Sequence, residues 1–254
     1  MTVLVTRPDE RGQQLADELN RAGIVALHSP LLTISPGSQL AQLPSQLSQL
    51  KPGDMVFAVS KNAVDFAAQT LRDIGFAWRN DLLYLAVGHR TALHFTEQTQ
   101  QPVHYPLVTE NSEGLLALSE MTDLTDKNIL VLRGNGGREY FSEVTRQRGA
   151  TVELLECYQR QNTELDPVET ARLWQRCGVN ILLVTSMQSL QALLELIPRE
   201  EQQWLLDCCL VTVSERIAAL ARSYGFQQVE VAQGADNANL FTKLTELTEL
   251  TSLP

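Results

Sequence analysis

The sequence predicts an α/β protein built as two parallel-sheet domains that arose by internal duplication. Three observations carry this. Short aliphatic and β-branched runs alternate with segments of helical periodicity. The runs are apolar at every position rather than every second one, as in strands covered on both faces. The chain also repeats itself, without a gap, at an offset of 126 residues. Val3-Leu4-Val5-Thr6-Arg7 returns as Ile129-Leu130-Val131-Leu132-Arg133, and Gly23 returns as Gly149. Met55 to Ser60 returns as Ile181 to Ser186, Val87 to Ala92 as Val213 to Ala218, and Asn111 to Leu118 as Asn237 to Leu244. That period is far too long for a solenoid of short units. With 254 residues, each half is long enough to bury a core.

In chain order, the apolar run 3–6 is the first strand, and Gln13 to Arg21 has apolar residues at i, i+3 and i+4, the spacing of a covering helix. A short extended piece fits 24–28. Pro30, Pro36-Gly37, Pro44 and Pro52-Gly53 then break the pattern, so a linker is expected at 33–40. Strand 55–59, helix 62–71, strand 83–87 and an extended piece at 103–105 follow. The second repeat opens with strand 129–132 and an extended piece at 152–158, and its polar stretch ending in Asp166-Pro167 marks a second linker at 160–167. Strands 181–185 and 209–213, helix 215–223 and a piece at 229–232 complete it. The three-residue Leu-Thr-Glu rhythm after Leu244 matches no stable apolar face and is expected to fray after residue 245. Linkers at these positions cut each repeat after its first strand–helix–strand. The expected domains are then 1–35 plus 165–254, discontinuous in sequence, and 37–160, inserted between them.

Composition bounds the function. An apolar content of 44% with 20% charged residues is ordinary for a globular chain. A net charge of −10 argues against a nucleic-acid partner, and the 6% aromatic content offers no stacking platform for bases. No apolar stretch approaches the length of a membrane span. The sequence shows no export signal, so a cytoplasmic location is expected, with Cys157, Cys177, Cys208 and Cys209 reduced. The histidines His28, His89, His94 and His104 lack metal-ligand spacing, and no metal site is expected. Gly134-Asn135-Gly136-Gly137 has Glu139 where a dinucleotide loop needs its last glycine, and neither a Walker loop nor a G-x-S-x-G elbow occurs.

Ligands of open parallel sheets bind beyond the carboxyl ends of the strands. At those ends stand Arg7; Ser60, Lys61 and Asn62; Gly88, Arg90 and Thr91; Arg133, Gly134 and Arg138; Ser186; Ser214 and Arg216. The arginines and Lys61 form a local basic rim on an acidic protein, and small residues expose N–H groups at helix starts. This points to a polyanionic small ligand. Taken singly, each Ser or Asn reads equally as a helix N-cap. Their recurrence in corresponding loops of both repeats supports a ligand site.

Thr6-Arg7-Pro8, Ser60-Lys61-Asn62-Ala63-Val64, Ala86-Val87-Gly88, Leu132-Arg133-Gly134 and Tyr158 at a strand end form an ordered set. In order and spacing this set resembles the uroporphyrinogen-III synthase family over essentially the whole chain. The resemblance implies two flavodoxin-like domains joined by a two-stranded β connector, with a mobile cleft between them. It implies a lyase of haem biosynthesis that needs no cofactor. Hydroxymethylbilane, a linear tetrapyrrole, is cyclised to uroporphyrinogen III with loss of water and inversion of ring D, through an azafulvene on ring A and a spiro-pyrrolenine. The tyrosine thought to assist departure of the hydroxyl falls on Tyr158, and a family threonine falls on Thr91. A later threonine of some members is Ile217 here, so that role passes to Ser214 or Arg216. Arg7, Ser60, Lys61, Asn62, Gly88, Arg90, Arg133, Gly134, Arg138, Ser186, Ser214 and Arg216 are the expected substrate-binding residues. The implied partner is the substrate alone, on a monomer, with no nucleic acid and no membrane. That leaves room for a transient contact with the enzyme that supplies hydroxymethylbilane. The competing readings are a two-lobed, non-catalytic binding protein for an anionic solute and a flavodoxin-like signalling or nucleotide-binding protein. Strand ends carrying Arg, Ser and Gly, rather than an acidic cluster, argue against a receiver domain.

Overall fold

A computed structural model describes residues 1–8, 10–137 and 139–250. The chain begins β1 (Thr2–Val5), α1 (Glu10–Arg21), β2 (Val25–His28), β3 (Leu32–Pro36) and α2 (Leu43–Gln49). It continues β4 (Met55–Ala58), α3 (Lys61–Asp73), β5 (Leu83–Ala86), α4 (His89–Thr99), β6 (Val103–His104) and α5 (Ser112–Leu116). The second repeat supplies β7 (Asn128–Gly134), α6 (Tyr140–Gln147), β8 (Thr151–Asn162), α7 (Pro167–Arg176), β9 (Val179–Leu183) and α8 (Met187–Leu196). It ends α9 (Gln202–Asp207), β10 (Cys209–Thr212), α10 (Glu215–Ser223), β11 (Val229–Val231) and α11 (Asn237–Leu250).

Two compact units result: Met1–Thr33 with the chain from Gln161 onward, and Ile34–Arg160. The first holds a five-stranded sheet in the order β2-β1-β9-β10-β11, parallel throughout. The second holds the order β3-β8-β7-β4-β5-β6, parallel from β8 to β6. Each sheet has a five-stranded parallel core with two strands from one repeat and three from the other, and the second sheet adds β3 at its edge. Counted by repeat position, each has the 2-1-3-4-5 order of flavodoxin-like folds. Gly23 and Gly149, equivalent in the repeats, both end a first helix with φ of +83° and +95°, a region that favours glycine.

The uniformly apolar strands follow from burial on both faces. Along β1, Val3 and Val5 face a cluster with Leu15, Leu19 and Leu240, whereas Leu4 faces Trp174, Leu190 and Leu193. Along β4, Met55 and Phe57 face Leu115 and Phe141, whereas Val56 and Ala58 face Val64, Phe95 and Tyr158. Successive side chains point to opposite faces, so both sets must be apolar.

One element departs from expectation, and the two stretches expected as linkers carry strand. The expected linker at 33–40 is strand through Pro36, and 160–167 begins inside β8. Gly37 N donates to Cys157 O and Thr163 N to Leu31 O, both at 2.9 Å, so β3 runs antiparallel to β8. Pro36 is tolerated because β3 is an edge strand. The tail also continues as α11 to Leu250 instead of fraying after 245. Leu240 and Leu244 are fully buried and Leu247 packs beside them, an i, i+4, i+7 stripe laid against α1.

β4 and β7, whose ends carry candidate site residues, are tied at their amino ends by Asp54. Its carboxylate accepts from Lys51 N at 2.7 Å, Asn128 N at 3.0 Å and Asn128 Nδ2 at 2.8 Å. Burial works against this charge, but those donations and nearby Lys127 outweigh it and hold the group below its ordinary value. A depressed carboxylate contributes stability that is full above its unfolded value and is lost as pH falls through the folded one. Thermal melts should therefore show Asp54→Asn less stable than the natural chain at neutral pH, with the gap narrowing as pH is lowered past 3.8. We further propose that the second unit folds alone. A fragment spanning 34–160 should melt cooperatively, and 1–126, which splits both sheets, should not.

Candidate functional site

The carboxyl end of the six-stranded sheet gathers the most elaborate polar arrangement. The register of β7 and β8 shifts between Arg133 and Gly134, which sets Gly134 opposite Tyr158. The Tyr158 ring lies on Gly134: a Cβ there would stand 2.7 Å from both Cε2 and Cζ. No larger residue leaves the ring in place. Tyr158 is 3% exposed and its ring stacks on Phe66, with centroids 6.4 Å apart. Its Oη accepts from Ser60 Oγ and from Arg160 Nη2, each at 3.1 Å, while Arg160 Cζ lies 5.3 Å from the ring centroid.

Each donor is itself held. Ser60 caps α3, its Oγ accepting from Ala63 N. Asn135 pins the strand end: its N donates to Tyr158 O, its Nδ2 donates to Arg160 O, and its Oδ1 accepts from Arg160 N. A phenol oxygen receiving two donations keeps its own proton for a further acceptor. Negative charge arising on Oη meets a guanidinium and a hydroxyl already in place.

The other expected residues of this unit spread around the same sheet end. Lys61 and Arg90 are exposed and Asn62 is half-buried, all in the first turns of α3 and α4. Arg133 lines a pocket of about 210 Å³ together with Val59, Val87, Ser112, Gly137 and Ser142. Gly88 caps α4, but the Glu110 carboxylate packs directly against it, so this helix start already faces an acidic group. Glu110 escaped the sequence reading because a glutamate in a polar loop carries no signal. Thr91 is 8% exposed in the first turn of α4, and Tyr158 takes no hydrogen bond from it among the described residues. Arg138 lies outside the described residues. Cys157, next to Tyr158, is no nucleophile: burial pushes its thiol up to about 12.

In the first unit, Ser186 caps α8 by accepting from Ser189 N, and Ser214 caps α10 by accepting from Ile217 N. Arg216 is exposed beside Ser214. Arg7, expected on the basic rim, is 4% exposed, and its Nη1 donates to Ala235 O at 2.9 Å and Asn237 Oδ1 at 3.1 Å. It thus anchors the loop that leads into α11. Charge-assisted bonds of this kind contribute about 1.5–3 kcal/mol each. Urea unfolding should therefore show Arg7→Ala clearly destabilised and Arg216→Ala close to the natural chain.

Comparison with known proteins bears on the identity of this site. The family model described as uroporphyrinogen-III synthase HemD matches residues 13–242. The chain is 44% identical over 245 residues to the uroporphyrinogen-III synthase of Escherichia coli, across 96% of this chain and 100% of that one. It is 42% identical, over the same shares, to the one from Salmonella typhimurium. A solved mutant uroporphyrinogen III synthase from Thermus thermophilus superposes with a TM-score of 0.68 at 16% identity, over 98% of this chain and 99% of that one. The uroporphyrinogen-III synthetase of Helicobacter pylori gives 0.59 at 15% identity, over 96% and 98%. These two structures speak for the fold, and the sequence matches speak for the family. The chain belongs to the uroporphyrinogen-III synthase family.

Proposed function

We propose that this protein cyclises hydroxymethylbilane to uroporphyrinogen III, as a lyase of haem biosynthesis. The observation that carries this is 44% identity to a uroporphyrinogen-III synthase along 96% of the chain. Nothing favours the non-catalytic binding protein. Among the described residues, no cluster of His, Cys, Asp and Glu is suited to a metal ion, and no helix is long and apolar enough to cross a membrane. We propose a cytoplasmic monomer that works without metal or organic cofactor.

In the proposed reaction Tyr158 is the acid. Its proton goes to the hydroxyl oxygen on ring A, the C–O bond breaks with its electron pair in the departing water, and the pyrrole nitrogen's lone pair completes an azafulvenium. Ring D attacks that carbon through its substituted α-position, and the spiro intermediate opens and recloses with ring D inverted. The proton lost as the closed ring regains aromaticity restores the phenol. Lys61, Arg90 and Arg133 supply local positive potential for the carboxylates of the bilane, against the overall charge of −10. Because the free substrate closes by itself to the non-inverted isomer, orientation of the bound chain is as important as acid catalysis.

After chelator treatment the protein should still convert hydroxymethylbilane to the type III isomer, read by chromatography of the oxidised products. Formation of type I alone would overturn the proposal. Tyr158→Phe keeps the packing against Gly134 and Phe66, so turnover should fall roughly 10–100-fold while the melting temperature barely moves.

A further inference from the structure

We propose that Arg160 is a positioning residue for the same reaction, acting through the Tyr158 hydroxyl; this rests on the assignment of Tyr158 as the acid. Arg160 stands two residues beyond Tyr158 on β8, so both side chains leave the strand on one face. Its guanidinium contacts the tyrosine in two ways, over the ring face at 5.3 Å and through Nη2 to Oη at 3.1 Å. The backbone of Arg160 is fixed by both ends of the Asn135 amide. The ring that receives these contacts cannot slide away, because Gly134 lies beneath it and Phe66 beside it. The arginine is otherwise exposed, and a guanidinium on a strand end in water gains little from such an arrangement unless the oxygen it touches acquires charge.

That charge arises in one step. When the Tyr158 O–H bond breaks and its proton passes to the leaving hydroxyl, Oη becomes a phenolate. The Arg160 Nη2 bond, charge-assisted on the donor side alone, then becomes an ion pair, and the Ser60 Oγ bond gains a charged acceptor. They also occupy the directions toward β8 and α3, which leaves the phenol proton for the substrate. Arg160 lowers the barrier of the ionisation step and does not itself touch the reacting carbon.

The test is a double-mutant cycle in the full-length protein, with kcat, KM and the ratio of type III to type I product measured for each variant. Arg160→Ala should lower kcat about 10-fold with KM within about 2-fold, and Arg160→Lys should recover part of it. In the Tyr158→Phe background the same substitution should have almost no effect, because the oxygen through which it acts is gone. The type III share should fall as enzymatic closure slows against spontaneous closure. A raised KM with unchanged kcat would place Arg160 on a substrate carboxylate and overturn the proposal. An equal loss in both backgrounds, or none in either, would overturn it too while leaving Tyr158 as the acid. Full turnover by Tyr158→Phe would remove the assignment of Tyr158 and this inference together.

Discussion

The arrangement at the site depends on one absence, the side chain at residue 134. β7 and β8 are in regular parallel register up to Arg133, and the shift there brings the Tyr158 ring down onto the Gly134 backbone. With a Cβ 2.7 Å from two ring carbons, the ring would have to tilt, and Oη would leave the reach of Ser60 on α3 and Arg160 on β8. Glycine there is a matter of space, since Gly134 is not among the glycines with positive φ. The cap of α3, the end of β8 and the Asn135 loop are thereby referred to one oxygen atom.

This arrangement also explains how an acidic protein can serve an acidic ligand. The charge of −10 is a sum over the chain. At the carboxyl end of the second sheet the local balance differs, with Arg160, Arg133, Lys61 and Arg90 near the starts of α3 and α4. Potential over a few ångströms is set by such groups, because solvent ions screen more distant ones within about 8–10 Å. Acidic groups offset part of it: Glu139 lies 3.9 Å from Arg133, and Glu110 against Gly88 restricts which helix start can receive a carboxylate.

Much of the fold was legible in the sequence because duplication doubles each signal. Ser60 and Ser186, 126 residues apart, both cap helices after equivalent strands, and Gly23 and Gly149 both take left-handed turns. What failed was read against local breakers. Pro36 and Gly37 mark 33–40 as a linker by propensity, yet β3 runs through it to Pro36, because an edge strand accepts proline. The rhythm of the tail hid the Leu240, Leu244 and Leu247 stripe because the threonines between them look like a competing period. Of the candidate site residues, Tyr158, Ser60 and Gly134 stand together. Arg7 stands after a strand, which suggests a rim, but its side chain is buried against Ala235 and Asn237, at sequence separations of 228 and 230 that no local pattern reveals. Arg160 was missed because a lone arginine in the polar run Gln159 to Asn162 looks like a solvated strand end.

The central claim is that proton transfer to the leaving hydroxyl starts from Tyr158 Oη. Its most direct test is a crystal structure with an unreactive bilane that carries a methyl group in place of the hydroxymethyl group. The account predicts that this terminal carbon on ring A lies within about 4 Å of Tyr158 Oη, close enough for an oxygen attached to it to accept a hydrogen bond. A bilane whose ring A instead rests against Ser186 and Ser214, with Tyr158 still sealed beneath Arg160, would contradict it.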